Sequence, residues 1–102
     1  MMPAIYTLIC TVHFEWDPDK ADENLREHNV AFTEAVETFR DANGLEYFDR
    51  KHSDEEPRYI RVGLSSRRLL VIVFTERDDG VRLISAWPAD KQAERLYEKQ
   101  SP

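Results

Sequence analysis

The run Leu69-Leu70-Val71-Ile72-Val73-Phe74-Thr75-Glu76-Arg77-Asp78-Asp79-Gly80-Val81-Arg82-Leu83-Ile84-Ser85-Ala86-Trp87 decides the fold class. Its first six residues are apolar without alternation, which predicts a central strand covered on both faces. Asp79-Gly80 offers two residues that tolerate positive φ and predicts a tight hairpin turn. The strand that follows, Val81–Trp87, is ended by Pro88. Working outward toward the N-terminus, Arg58–Leu64 alternates with period two, turning Ile60, Val62 and Leu64 inward and Tyr59 and Arg61 the other way. Leu45–Phe48 predicts a shorter strand, and the polar stretch Asp49–Pro57 between them predicts an irregular connection.

Upstream of this meander the periodicity changes. Ile5–Trp16 is rich in β-branched and aromatic residues and predicts a strand, part of it at an edge. Asp17-Pro18 is a helix start, with Asp17 accepting from free backbone N–H groups and Pro18 suited to the first turn. Ala21, Leu25 and His28 form the inner stripe of that helix, and Asn29 ends it in a left-handed conformation. Thr33 is the expected cap of a second helix, with Glu34 at its positive end, Ala35, Val36 and Phe39 facing the core, and a stop near Asn43-Gly44. Asp90 is placed to cap a terminal helix through Lys91, Arg95 and Lys99. An antiparallel meander packed against two N-terminal helices, with a short C-terminal helix, is an α+β fold.

The 102 residues fit one domain over residues 1–102, with no repeat, linker or low-complexity tract to divide them. With 41% hydrophobic and 33% charged residues the composition is that of a folded chain. Cys10 is the only cysteine, so neither an internal disulfide nor a thiolate zinc site can form, which favours a reducing compartment. Ile5–Val12 is too short to span a bilayer and lacks the flanks of a leader, so the expectation is a cytoplasmic protein. The net charge of −6 argues against a nucleic-acid partner until its distribution is examined. Residues 1–49 carry 3 basic and 11 acidic groups, whereas residues 50–82 carry 8 basic and 6 acidic ones. The cations sit on the meander.

Several groupings have chemical meaning. Lys20, Asn24 and Glu27 or His28 recur at helical spacing, forming either a solvated face or a polar constellation. Arg77 and Arg82 flank one turn, and Arg61 lies on a strand that could neighbour theirs. Three converging guanidinium groups would clamp a phosphate, although the residues alone favour surface pairing with Glu76, Asp78 and Asp79. Arg67-Arg68 forms a basic loop tip, and Tyr59 or Trp87 could stack on a base. His52 lies in the irregular segment, where a mobile imidazole would suit proton transfer near neutral pH. No paired metal-ligand spacing, phosphate-cradling glycine loop or nucleophile elbow is present, so no metal and no cofactor are expected.

Phe14-Glu15-Trp16-Asp17, Lys20, Asn24-Leu25, His28, Val30, Phe32 and Glu34-Ala35 resemble the opening motif of the BrnT-type toxin family. Asp49, His52-Ser53, Arg58, Gly63-Leu64-Ser65, Leu69–Arg77 and Arg82 with Ile84-Ser85-Ala86 continue that pattern in order, over about residues 13–98. The resemblance implies a metal-independent endoribonuclease with a RelE-like fold, the toxin of a type II toxin–antitoxin pair. It also implies a BrnA-type ribbon-helix-helix antitoxin, through which alone operator DNA would be contacted. The nominated catalytic positions are Lys20, His28, His52, Arg58, Arg61, Glu76, Arg77 and Arg82, with Asn24, Arg67, Arg68 and Trp87 as RNA contacts. The chain departs from the family at Glu27, where a basic residue is common, and at Asn29, where glycine is. About 12 residues precede the family's usual start. Trp87 stands where the family continues into an arginine. That change also admits a weakened or inactive toxin fold that acts as antitoxin partner and co-repressor.

Overall fold

A computed structural model describes residues 12–100 together with the short strand β1, Tyr6–Thr7. The other strands are β2 (His13–Glu15), β3 (Leu45–Phe48), β4 (Tyr59–Leu64), β5 (Leu69–Arg77) and β6 (Gly80–Pro88). The helices are α1 (Pro18–His28), α2 (Phe32–Glu37) and α3 (Lys91–Lys99). The strands make one six-stranded mixed sheet in the order β1-β2-β6-β5-β4-β3. The meander β3 to β6 is antiparallel throughout, as its alternation and turns required. The strand expected over Ile5–Trp16 is instead an antiparallel pair, β1 and β2, and β2 then lies parallel to β6.

Both faces of the sheet carry a core, and β5 is buried from Leu70 to Thr75. Phe14, Trp16, Val30, Phe32, Leu70, Ile72, Phe74 and Leu83 build the main core on one face. Val62, Val71, Ala93 and Tyr97 form a smaller core on the other, beneath α3. This two-sided burial corrects the inward–outward reading of β4. Tyr59 stacks on Phe74 and Arg61 is buried, both on the main-core side, while Leu64 at the strand end is exposed.

Asp17 accepts from Asp19 N at 2.9 Å and Asn29 adopts φ 58°, so both ends of α1 form as their residues dictate. Its inner stripe differs from expectation. Leu25 is 49% exposed and Asn24 only 5%. The reason is that α1 runs along the free edge of β6, where the Asn24 amide donates to Ala86 O at 2.8 Å and accepts from Ala86 N at 3.0 Å. A side-chain amide thus closes part of the β6 edge beyond Arg82, where β2 no longer pairs with it. α2 starts one residue before Thr33, with Ala31 at the cap position and no side-chain cap; burial of Val30 and Phe32 sets the entry instead. It ends at Glu37 and tightens into a 3₁₀ turn, Thr38–Arg40.

The hairpin between β5 and β6 is displaced by one residue from the expected position. Arg77 pairs with Gly80, so Asp78-Asp79 forms the turn, with Asp78 at φ 49°. Gly80 serves a different purpose, since a Cβ there would lie 2.6 Å from the carbonyl oxygen of His13 on the adjoining strand. The parallel β2 can approach only because no side chain intervenes.

A buried knot joins β4 to the segment after α2. Arg61 donates to Thr38 O at 2.9 Å, to Asp41 O at 2.8 Å and to the Glu46 carboxylate at 2.6 Å, and lies over the Phe39 ring. Asp41 in turn accepts from Leu64 N at 2.8 Å and from the Tyr97 hydroxyl at 2.6 Å, which fastens α3. Burial opposes ionisation of Asp41, but the hydrogen bonds from Tyr97, Leu64 and Asn43 and the charge of Arg61 outweigh it and lower its pKa. Burial and the same carboxylate push Tyr97 up to about 12. Arg61→Met should cost about 2–4 kcal/mol in denaturant unfolding, because buried carbonyl oxygens lose their donor. Gly44→Ala should cost about 1–3 kcal/mol, since its Cβ would overlap the fixed guanidinium. Wild-type stability in both variants would show that the knot holds nothing.

Candidate active site

The turn end of the β5–β6 hairpin carries the first half of the site. Thr75 pairs with Arg82 and Arg77 with Gly80, and strand alternation puts Thr75, Arg77 and Arg82 on the α3 face of the sheet. There Arg82 Nη1 lies 3.4 Å from Glu15 Oε1, and Arg77 Nη2 lies 3.3 Å from Glu56 Oε2. These are long contacts between partly exposed groups, so each is worth little and can be exchanged for a stronger anion. The two arginines are diagonal neighbours across the ladder, a spacing that lets both reach one phosphate. An open groove of about 540 Å³ adjoins them, lined by His13, Glu15, Arg77 and the turn.

The connection from Asp49 to Arg58 carries the second half. It contains a 3₁₀ turn, Arg50–His52, and closes on itself: Asp49 N donates to Arg58 O at 2.8 Å, and Ser53 Oγ donates to Asp49 O at 2.5 Å while accepting from Arg58 N at 2.9 Å. The Thr75 hydroxyl donates to Pro57 O at 2.6 Å and pins this connection to β5. His52, expected to be mobile, is tethered: its Nδ1 lies 3.0 and 3.3 Å from the two Asp49 carboxylate oxygens. Lys51, His52, Glu56 and Arg58 line one depression, and Glu56 also pairs with Arg77. The two halves therefore adjoin.

Residues 16–93 match the family described as ribonuclease toxin, BrnT, of type II toxin–antitoxin system. The chain belongs to the BrnT family. A comparison with individually curated proteins finds no match. The matched span takes in His52, Arg58, Arg77 and Arg82, whereas Glu15 lies just before it. BrnT membership makes the chain a ribonuclease toxin by family and implies a protein antitoxin as partner. Among the described residues, no helix is long and apolar enough to cross a membrane, and no group of three His, Cys, Asp or Glu is arranged to hold a metal.

The remaining nominated positions of this BrnT chain lie elsewhere. Arg61 pairs with Ile72 and so points to the opposite face from Arg77 and Arg82, where its donors are consumed by the knot. Of the three arginines expected to converge, only Arg77 and Arg82 share a face of the sheet. Glu76 also turns to the opposite face, beside Phe39 and Glu46. Asn24 is buried against β6, His28 lies 6.0 Å from the Trp87 ring, and Lys20, one turn before Asn24 on the same stripe, is exposed. Arg67 and Arg68 stand at the far end of β5, roughly 25 Å along the strand from Arg77.

Trp87 shares a face with Arg82, although five residues separate them. Val71 and Thr75, four apart on β5, pair with Trp87 and Arg82, so β6 holds one extra residue in a bulge opposite Val73/Phe74. Trp87 packs against the smaller core rather than standing free. Asp49, Glu15 and Thr75 stood in the motif residues but were not nominated for the site, and Glu56 was not singled out. Asp49 carried a signal, an acid three residues before a histidine within a turn segment. Glu15 stood in the opening motif, but only the parallel pairing of β2 brings it to Arg82.

In the basic loop tip, Arg68 serves the fold, whereas Arg67 is largely exposed, 3.8 Å from Glu34. Arg68 binds Glu34 through two nitrogens at 2.9 and 3.0 Å and donates to Asn29 O at 2.7 Å, while Ser65 Oγ reaches Glu34 at 2.8 Å. The Arg68 hydrogen bonds hold the buried Glu34 carboxyl below its ordinary pKa against the opposing effect of burial, and Glu34 raises that of Arg68. A carboxylate whose pKa is lower folded than unfolded stabilises the fold above its unfolded value, and that contribution is lost as pH falls through the folded one. Glu34→Gln should therefore be less stable than wild type at pH 7 and should converge on it in acid. A constant difference in unfolding free energy from about pH 7 to pH 2 would contradict this.

Proposed function

We propose that this BrnT-family chain is a metal-independent endoribonuclease with a RelE-like fold. It acts in the cytoplasm as the toxin of a pair whose antitoxin is a BrnA-type ribbon-helix-helix protein, and it meets operator DNA only through that antitoxin. The observation that carries the reading is that Arg77, which shares a sheet face with Arg82, is joined through Glu56 to the depression lined by His52 and Arg58. Attack of an RNA 2′-hydroxyl on its own phosphate needs a proton acceptor, a proton donor and cationic stabilisation of the charge that develops on the phosphate oxygens. Arg77 and Arg82 supply the cations by exchanging Glu56 and Glu15 for the phosphate, with Arg58 at the rim.

Trp87 favours a second reading. Its half-buried ring packs beside His28 and contributes no cationic donor where the family pattern has an arginine. In that reading the chain is a weakened or inactive toxin fold that works through its antitoxin as a co-repressor.

The purified chain should cleave RNA in the presence of chelator, and Arg77→Ala and Arg82→Ala should each lower kcat/KM by about 10²–10³. Full activity in both variants would remove the arginines from the mechanism. Trp87→Arg separates the two readings in the same assay: a large gain in cleavage supports the weakened enzyme, and a loss shows that the tryptophan itself contributes.

A further inference from the structure

We infer that Asp49 is a positioning residue that fixes the tautomer of His52, so that His52 Nε2 takes the proton from the attacking 2′-hydroxyl. This rests on the ribonuclease reading above and adds to it an acid–base assignment. The Asp49 side chain is 11% exposed and the His52 side chain 65%. Both carboxylate oxygens face Nδ1, at 3.0 and 3.3 Å. An ionised carboxylate accepts hydrogen bonds and donates none. It therefore selects the form of the neutral imidazole that carries its proton on Nδ1. The lone pair is then on Nε2, which is directed away from the tether.

The backbone of the connection makes the tether rigid. Asp49 N on Arg58 O, Ser53 Oγ between Asp49 O and Arg58 N, and Thr75 Oγ on Pro57 O hold both ends of the segment to the sheet. The carboxylate therefore sits on a fixed base, and the imidazole projects from it into the depression. Other charged groups around that depression are Lys51, Asp54, Glu55, Glu56 and Arg58. Glu56 is engaged by Arg77, at 3.3 Å, which ties that arginine to the depression that the imidazole lines.

The step balances without a cofactor. The 2′-oxygen gives its proton to Nε2 and forms a bond to phosphorus. The phosphorus bond to the 5′-oxygen breaks, and that oxygen takes a proton from solvent. The products are a 2′,3′-cyclic phosphate and a 5′-hydroxyl, and the imidazolium returns its proton to solvent. Arg77 and Arg82 face the non-bridging oxygens during the exchange.

The test pairs cleavage kinetics with ¹⁵N spectroscopy of the histidine side chains in the full chain. His52→Gln should lower kcat by on the order of 10² or more, as loss of a proton acceptor does. Asp49→Asn should lower kcat by at least about tenfold with KM unchanged, and Asp49→Glu should restore part of the loss. In wild type the neutral His52 ring should be protonated on Nδ1, and in Asp49→Asn the two tautomers should mix. Wild-type cleavage by His52→Gln, or a neutral His52 protonated on Nε2, would overturn the assignment and leave the ribonuclease reading standing. A wild-type chain inert toward RNA would overturn both.

Discussion

The buried guanidinium of Arg61 is the constraint on which the rest of the structure depends. Its three bonds reach the turn after α2, the following backbone at Asp41, and the edge strand β3, so one side chain joins segments that the hydrophobic cores alone do not connect. A planar donor group with several fixed directions can do this, and an apolar side chain cannot. The cost is the removal of a charge from water, which is met by full pairing and by the ring of Phe39. Asp41 extends the knot to α3 through Tyr97, and α3 then covers only the end of the sheet far from the β5–β6 turn.

That partial cover leaves the turn end of the α3 face open. A complete layer over it would bury Arg77 and Arg82 in pairs as tight as that of Arg61. Instead they hold long contacts to Glu15 and Glu56 between partly exposed side chains. The arginines of the meander thus divide by environment. Arg61 and Arg68 are spent on carbonyls and carboxylates within the fold, whereas Arg77 and Arg82 remain exchangeable. Under the proposed function, the acidic partners reconcile a net charge of −6 with a cationic site, because the positive charge is local and paired with carboxylates that an anion would displace.

The division between sequence and tertiary structure follows from the range of the interactions concerned. Local chemistry was legible: the capped start and left-handed end of α1, the Asp90 cap of α3, the antiparallel meander and the α+β class all arise from contacts within a few residues. The ordered motif residues from Trp16 onward were likewise enough to reveal the BrnT family. What the sequence could not decide was which side of each strand faces which layer. Alternation sorts Arg61 from Ile60 but does not say that both faces carry a core, and so Arg61 read as a surface cation. Leu25 read as core because the edge of β6 that takes Asn24 lies more than 60 residues away. The bulge in β6 changes the face of Trp87 relative to Arg82, and the parallel seating of β2 brings Glu15 to that arginine. These are long-range register effects, which pair residues through the sheet rather than along the chain, and only the folded arrangement fixes them.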